Sequence, residues 1–227
     1  MFRKQFLYAM MIVFLAAAPP TARADDKVSG EVDRLDRARV TFQQIRDAKD
    51  EKIPRKLLDQ ARCIAVFPGV VKAALGVGGR HGKGVMSCRD AQGHWGPPVF
   101  LTMSGGSFGF QAGVEKADVV LFFMDDKSAQ GMLESKYTLG AKAGLAAGPV
   151  GRTAEADTDV KLDAEIYSYA RSKGLFAGIS LEGARVSPDD KSTRSFYGAN
   201  AEAGAIVFHH RTPRVPPAAA AFMNALP

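Results

Sequence analysis

Two glycine-rich stretches hold the residue patterns closest to known chemistry. Gly105-Gly106-Ser107-Phe108-Gly109 matches G-x-S-x-G, in which a nucleophilic serine sits on the sharp turn between a strand and a helix. The residues that follow, Phe110-Gln111-Ala112-Gly113-Val114, have strand character, and the only histidines downstream are His209 and His210 beside a Pro-rich tail. A β-turn is the expected use of this motif, not an esterase. Gly76-Val77-Gly78-Gly79-Arg80-His81-Gly82 approaches a dinucleotide fingerprint, but His81 replaces the third glycine and no helical pattern follows. A plain hairpin loop is the first expectation there. The alternative is an anion seat made by loop N–H groups with Arg80 or Lys83. Arg152, after Gly148-Pro149-Val150-Gly151, either meets a phosphate or pairs with Glu155 or Asp157 to hold the turn. The four His and two Cys show none of the spacings that bind metals, so neither metal nor cofactor is expected.

The elements that must position these residues are mostly strands. Gly96 to Phe123 reads as three extended segments, Val99–Met103, Phe108–Val114 and Asp118–Met124. Ser104-Gly105-Gly106-Ser107 and Glu115-Lys116-Ala117 separate them as turns. Upstream, Cys63–Phe67, Val70–Val77 and Gly84–Cys88 are strand-like, with Pro68-Gly69 as a turn and Gly78–Gly84 as a flexible loop. Residues 138–148 read as a small-residue strand, and Val160–Arg171 and Leu175–Ala184 as a hairpin around Ser172-Lys173-Gly174. Pro188 to Tyr197 reads as a polar turn with a short helix, and Ala205–Phe208 as a last apolar piece. Ala218–Leu226 is left as a terminal helix or a mobile tail.

Helices come first in the chain. Val28, Leu35 and Phe42 lie seven apart with Val32, Ala38 and Ile45 on the same side, which predicts a helix over 28–48 with Ser29 as N-cap. Pro54 suits the start of a second helix reaching Ala61, with Leu57 and Leu58 inward. Across residues 31–56, eight basic side chains face six acidic ones, the pattern of a solvated outer face. Asp125 or Asp126 is placed to cap a third helix running towards Tyr137.

The N-terminus reads as an export signal. Arg3 and Lys4 precede an apolar run from Phe6 to Ala18, and Ala22-Arg23-Ala24 offers an A-x-A cleavage site. Its removal takes three of the 30 basic residues and none of the 24 acidic ones, so formal charge falls from +6 to +3. No long basic run or aromatic-basic motif calls for nucleic acid. Cys63 and Cys88 are the only cysteines, and an even count in an exported chain favours a disulfide over two buried thiols.

Several of these pieces carry a resemblance. P-V-F-L-T-M-S-G-G-S-F-G-F-Q-A-G over 98–113 resembles the signature of the SYLF domain, also described as the Las17-binding actin-regulator domain. Ala65–Val70, Gly148–Arg152 and Ser172–Gly178 agree with it in order, so the similarity spans roughly 28–198. The resemblance implies a non-catalytic domain that recognises phosphoinositide or other anionic phospholipid at a membrane surface. It links the first helix to lipid contact, and eukaryotic members to actin regulation. An exported chain would not meet actin in its own cell, so actin is not expected as a partner. The expected fold is α+β: one domain with a curved, mainly antiparallel, barrel-like sheet and N-terminal helices packed against it. Residues 1–24 are the signal, 25–210 the domain (28–61 helical, 62–210 β-rich), and 211–227 a Pro/Ala-rich tail. Candidate lipid-binding residues are Arg80, Lys83, Arg152, Lys173, Arg46, Lys52, Arg55 and Lys56. Gly105, Gly106, Ser107, Gly109, Gly148, Pro149 and Gly151 form the expected structural motif. The alternative is a structural or protein-interaction module of the cell envelope, periplasmic or secreted.

Overall fold

The first helix, α1 (Ala22–Arg46), is where the seven-residue spacing finds its use. Leu35, Ala38, Phe42 and Ile45 are fully buried, while Arg37–Asp33 and Arg39–Asp36 pairs occupy the water-facing side. The helix begins before the predicted Ser29 cap, so the expected cleavage point after Ala24 falls in its first turn. The computed structural model describes residues 22–48, 53–134, 137–140, 144–149, 162–172, 175–178, 181, 183–212 and 214–227, with backbone alone for 22–27, 74–77, 107–112 and 175–178. Helix α2 (Arg55–Gln60) follows, with Pro54 at its N-cap and Leu57 and Leu58 buried.

Two very long strands then replace six predicted short ones. β1 (Cys63–Cys88) and β2 (Val99–Phe123) pair antiparallel, from Cys63↔Phe123 to Met86↔Val99. The expected loop at Gly78–Gly84 and the expected turns at Ser104–Ser107 and Glu115–Ala117 are all strand. The Pro68-Gly69 signal survives as a register shift between Phe67 and Val70. Gly69 takes φ +65° there, and its N–H donates to Asp118 Oδ1 at 2.9 Å. A bulge bends a strand without ending it, which is how turn residues come to lie inside β1.

β2 is the centre of the sheet. Its second edge holds β7 (Arg185–Pro188) at Leu101–Ser104 and β5 (Ile166–Ser172) at Asp118–Phe123. β3 (Tyr137–Thr138) adds to β7, β4 (Leu145–Ala147) pairs parallel with β5, and β6 (Leu175–Gly178) forms a hairpin with β5. Together they make one mainly antiparallel sheet curled as a half-barrel in a single α+β domain. The hydrophobic core packed against it includes Val66, Phe100, Leu121, Phe122, Tyr169 and the buried face of α1.

The remaining helices close the structure. α3 (Asp126–Glu134) starts where the Asp125 carboxylate accepts from Ser128 N–H at 2.7 Å. α4 (Asp190–Tyr197) is capped by Asp189, which accepts from Ser192 N–H at 3.1 Å. The apolar piece near 205 is a helix, α5 (Ala203–His209). The expected tail contains α6 (Pro217–Met223) and does not hang free: Phe222 within the helix and Leu226 beyond it are buried. Arg46 donates to the Ala225 carbonyl at 3.1 Å and Trp95 Nε1 to that of Pro227 at 2.5 Å, which ties this end to α1 and to the β1–β2 loop. Among the described residues, no helix is long and apolar enough to cross a membrane.

Candidate functional site

The β1–β2 ribbon doubles back, so that the two ends of β1 meet. The Arg89 N–H donates to the Arg62 carbonyl at 2.8 Å, and the Cys63–Cys88 disulfide joins Cα atoms 4.0 Å apart across a sequence separation of 25. The two halves of β1 then press on one another through glycine. A Cβ on Gly84 would lie 2.4 Å from the Phe67 ring and 2.6 Å from the Val66 carbonyl oxygen, and one on Gly82 2.7 Å from Val70 Cγ2. The disulfide is buried at the seam. Replacing both cysteines with serine is expected to lower stability by about 3.5 kcal/mol in the chain-entropy model, read as a shift in the denaturant midpoint.

Because successive side chains alternate across a strand, this folding sorts the ribbon's residues by face. Gly82, Met103, Val186 and Tyr137 stand in one row across four strands, and all four are buried on the core side. The flanking rows point outward. One is His81–Ser104–Arg185–Thr138, and the other is Lys83–Thr102–Ser187. His81, Lys83, Ser104 and Arg185 are exposed, and Thr102, Thr138 and Ser187 are half-buried. These two rows hold three basic side chains, four hydroxyls and no carboxylate. No hydrogen bond or ion pair engages the side chains of His81, Lys83 or Arg185 among the described residues.

Several charges elsewhere are compensated. A cleft of about 340 Å³ opens between α1 and the far half of the ribbon, lined by Asp36, Arg37, Thr41, Gly69, Lys116 and Asp118. There Arg37 pairs with Asp33 at 2.9 Å, Arg39 with Asp36 at 2.6 Å, and Arg171 with Asp118 at 2.8 Å. The outer rows differ in bringing three basic side chains together with no carboxylate in either row.

The predicted cations scatter. Lys83 lies in the outer rows, but Arg80, three residues earlier, has the opposite parity, and its Nε is buried without a hydrogen-bond partner among the described residues. Arg46 is held by Asp47 at 2.8 Å, and that hydrogen bond raises its pKa against the smaller opposing effect of burial. Arg55 and Lys56 are exposed on α2, which is no part of the sheet. Lys52, Arg152, Lys173 and Gly151 lie outside the described residues. Sequence reasoning passed over His81 and Arg185. His81 could have been found from its two-residue spacing to Lys83, but Arg185 reaches the patch only through the Ser104↔Arg185 register.

Arg34 also departs from expectation. The charge pattern of residues 31–56 places it in the solvated face of α1, yet its side chain is 5% exposed. Its guanidinium donates to Asp189 Oδ2 at 3.1 Å and to Ser192 Oγ at 3.2 Å, and sits 5.1 Å from the centre of the Phe100 ring. Burial alone would raise the Asp189 pKa. The Ser192 N–H and hydroxyl and the Arg34 charge outweigh it and hold the carboxyl below the ordinary carboxylate value. Asp189 directly follows β7, so this cluster fixes the strand that presents Arg185.

The sequence profile described as Ysc84, Las17-binding protein actin regulator, matches residues 104–227, more than half of the chain. The chain belongs to the Ysc84 family. The SYLF resemblance is thereby borne out. Among its relatives, the protein YSC84 of Saccharomyces cerevisiae is 35% identical over 173 residues, which is 75% of this chain and 36% of that protein. The SH3 domain-containing YSC84-like protein 1 of Homo sapiens is 33% identical over 170 residues, 74% of this chain and 49% of the relative. The Xenopus laevis protein of that name is 34% identical over 154 residues, 67% and 46% respectively. The chain thus spans less than half the length of these Ysc84 relatives.

In this Ysc84-family chain the two catalytic-looking motifs become plain β structure. Gly105 to Gly109 lies inside β2, which runs on to Phe123 with no helix after the serine position, so the strand-to-helix elbow is not built. Gly76 to Gly82 lies inside β1 and is likewise followed by strand. Gly148 has a different use: a Cβ there would lie 2.0 Å from the Tyr169 ring, whose hydroxyl donates to the Pro149 carbonyl at 2.9 Å.

Proposed function

We propose that this Ysc84-family domain is a non-catalytic module that docks on anionic phospholipid surfaces through the outer face of the β1–β2–β7 sheet. The observation that carries this is the pair of outward rows holding His81, Lys83 and Arg185 with no carboxylate among them. A basic side chain near an anionic bilayer contributes about 1 kcal/mol, and exposed charges are screened within about 8–10 Å at ordinary salt. Docking is therefore weak and salt-sensitive. Flotation with phosphatidylglycerol vesicles is expected to carry the protein upward at low salt, to fail at high salt, and to fail with purely neutral vesicles at both. Failure with anionic vesicles at low salt would sink this function.

A second function is favoured by one observation. Beyond Ser104 and before Asp118, β2 has no paired strand on its second edge among the described residues; the Ser172 hydroxyl meets the Lys116 carbonyl at 3.2 Å, and Val114 is 74% exposed. An open strand edge accepts an extended segment of another protein by main-chain hydrogen bonding. The family's description as Las17-binding actin regulators agrees with a protein partner. Cross-linking from positions 113–116 to a co-purifying protein, with no vesicle binding, would favour this alternative.

Export belongs to the same proposal. The A-x-A site at Ala22–Ala24 and the Cys63–Cys88 disulfide both suit a secreted or periplasmic protein, in a compartment where actin of the same cell is absent. The intact mass of the protein recovered from the periplasm is expected to correspond to a chain starting at Asp25. A full-length mass in the cytoplasmic fraction would overturn it.

A further inference from the structure

We propose that Ser104, with His81 and Arg185 on either side and Lys83 in the next row, forms a seat for a terminal phosphate monoester. This rests on the docking function above and gives it a headgroup class. His81, Ser104 and Arg185 are direct cross-strand neighbours, on the same face by register. Adjacent antiparallel strands lie about 5 Å apart, so the two basic residues stand about 10 Å apart with the serine between them. A phosphate group over Ser104 is within reach of an imidazole N–H, a hydroxyl and a guanidinium at once. The guanidinium offers two parallel N–H donors to two phosphate oxygens, which a lysine cannot do.

The space beside the seat is bare. The next outward row is Gly79↔Gly106, both exposed, and Gly106 and Gly183 have nothing within 4 Å of where a Cβ would stand. A small headgroup can therefore lie flat against the backbone next to Ser104. A monoester fits this arrangement better than a diester. It presents three terminal oxygens and carries more than one negative charge near neutral pH, whereas a diester has two free oxygens and substituents on both sides. The three donor types and the extra cation Lys83 match the first set.

The same chemistry comes from a membrane, as phosphatidic acid, or from solution, as glycerol 3-phosphate, and the test separates them. Wild-type protein is floated with phosphatidic acid and with phosphatidylglycerol vesicles matched in surface charge, and is separately titrated with glycerol 3-phosphate by NMR. The expected result is about tenfold tighter binding to phosphatidic acid vesicles, the worth of one charge-assisted hydrogen bond. Arg185→Lys, which keeps the charge but not the paired donors, is expected to erase that preference while retaining phosphatidylglycerol binding. His81→Gln is expected to reduce the preference in part. All are exposed positions, so unchanged thermal melting confirms folding. Equal binding to the two vesicle types by wild type, or equal losses on both in Arg185→Lys, overturns the seat and leaves the docking function standing. Saturable glycerol 3-phosphate shifts at His81 and Ser104 without vesicle binding uphold the seat and overturn the docking function.

Discussion

Arg34→Met is expected to destabilise the domain by about 3–5 kcal/mol, the cost of leaving a largely buried charge without its partner. The pair is 5% and 14% exposed, and Asp189 keeps only its own capping contacts once the guanidinium is gone. Arg34→Lys should fall between, because an ammonium cannot serve Asp189 and Ser192 together while lying over Phe100. The double variant Arg34→Met/Asp189→Asn should lose less than the sum of the single losses, as expected for two residues in direct contact. The pH sign follows from the lowered Asp189 pKa. A depressed carboxyl adds stability that is complete above its unfolded value, about pH 4, and disappears as pH falls through the folded value. Urea denaturation from pH 7 to pH 3 should show wild type weakening only below about pH 4, with the Arg34→Met loss largest at pH 7 and shrinking on acidification. A loss under about 1 kcal/mol at pH 7 would place this pair among the exposed ones that matter little.

Gly84→Ala is the second large effect, at about 3 kcal/mol, the upper end for overpacking a filled interior. The added carbon would stand 2.6 Å from the Val66 carbonyl oxygen, which is main chain in the facing half of β1 and cannot rotate away. Gly79→Ala is the matched control in the same strand. Its nearest neighbour would be the Gly105 carbonyl oxygen at 3.9 Å, so a change within about 1 kcal/mol is expected. Equal losses at the two positions would mean that glycine matters here for strand propensity alone and not for the doubling of the ribbon. The control also tests the open floor beside Ser104, since Gly79 and Gly106 make up the row next to it.

The ribbon explains which sequence signals misled. Pro68-Gly69, the glycines from Gly76 to Gly84 and the Ser104–Ser107 tetrapeptide each resemble turns, because turn residues are those tolerant of unusual backbone or close approach. Gly69 serves the first need, at φ +65°, and Gly82 and Gly84 serve the second. Two halves of one strand lie against each other, and side chains at Gly82 and Gly84 would keep them apart. Nothing local to those residues says that the facing surface is the same strand returning.

Local chemistry determined a good deal by itself. The apolar period of α1, an aspartate cap for α3 at 125 or 126 and the strand character of both halves of the ribbon follow from side-chain type and short spacing, and the pairing of Cys63 with Cys88 from there being just two cysteines. So does the family, since its motifs are runs of neighbouring residues. Only the tertiary structure decided that Arg34 would be buried, that Arg80 and Lys83 would part to opposite faces, and that Arg185 would stand across β2 from His81. The burial of Arg34 depends on Asp189, 155 residues away, and the place of Arg185 on the register between segments about 100 residues apart. A shift of one residue in that register turns every side chain to the other face, so composition and periodicity cannot carry the information.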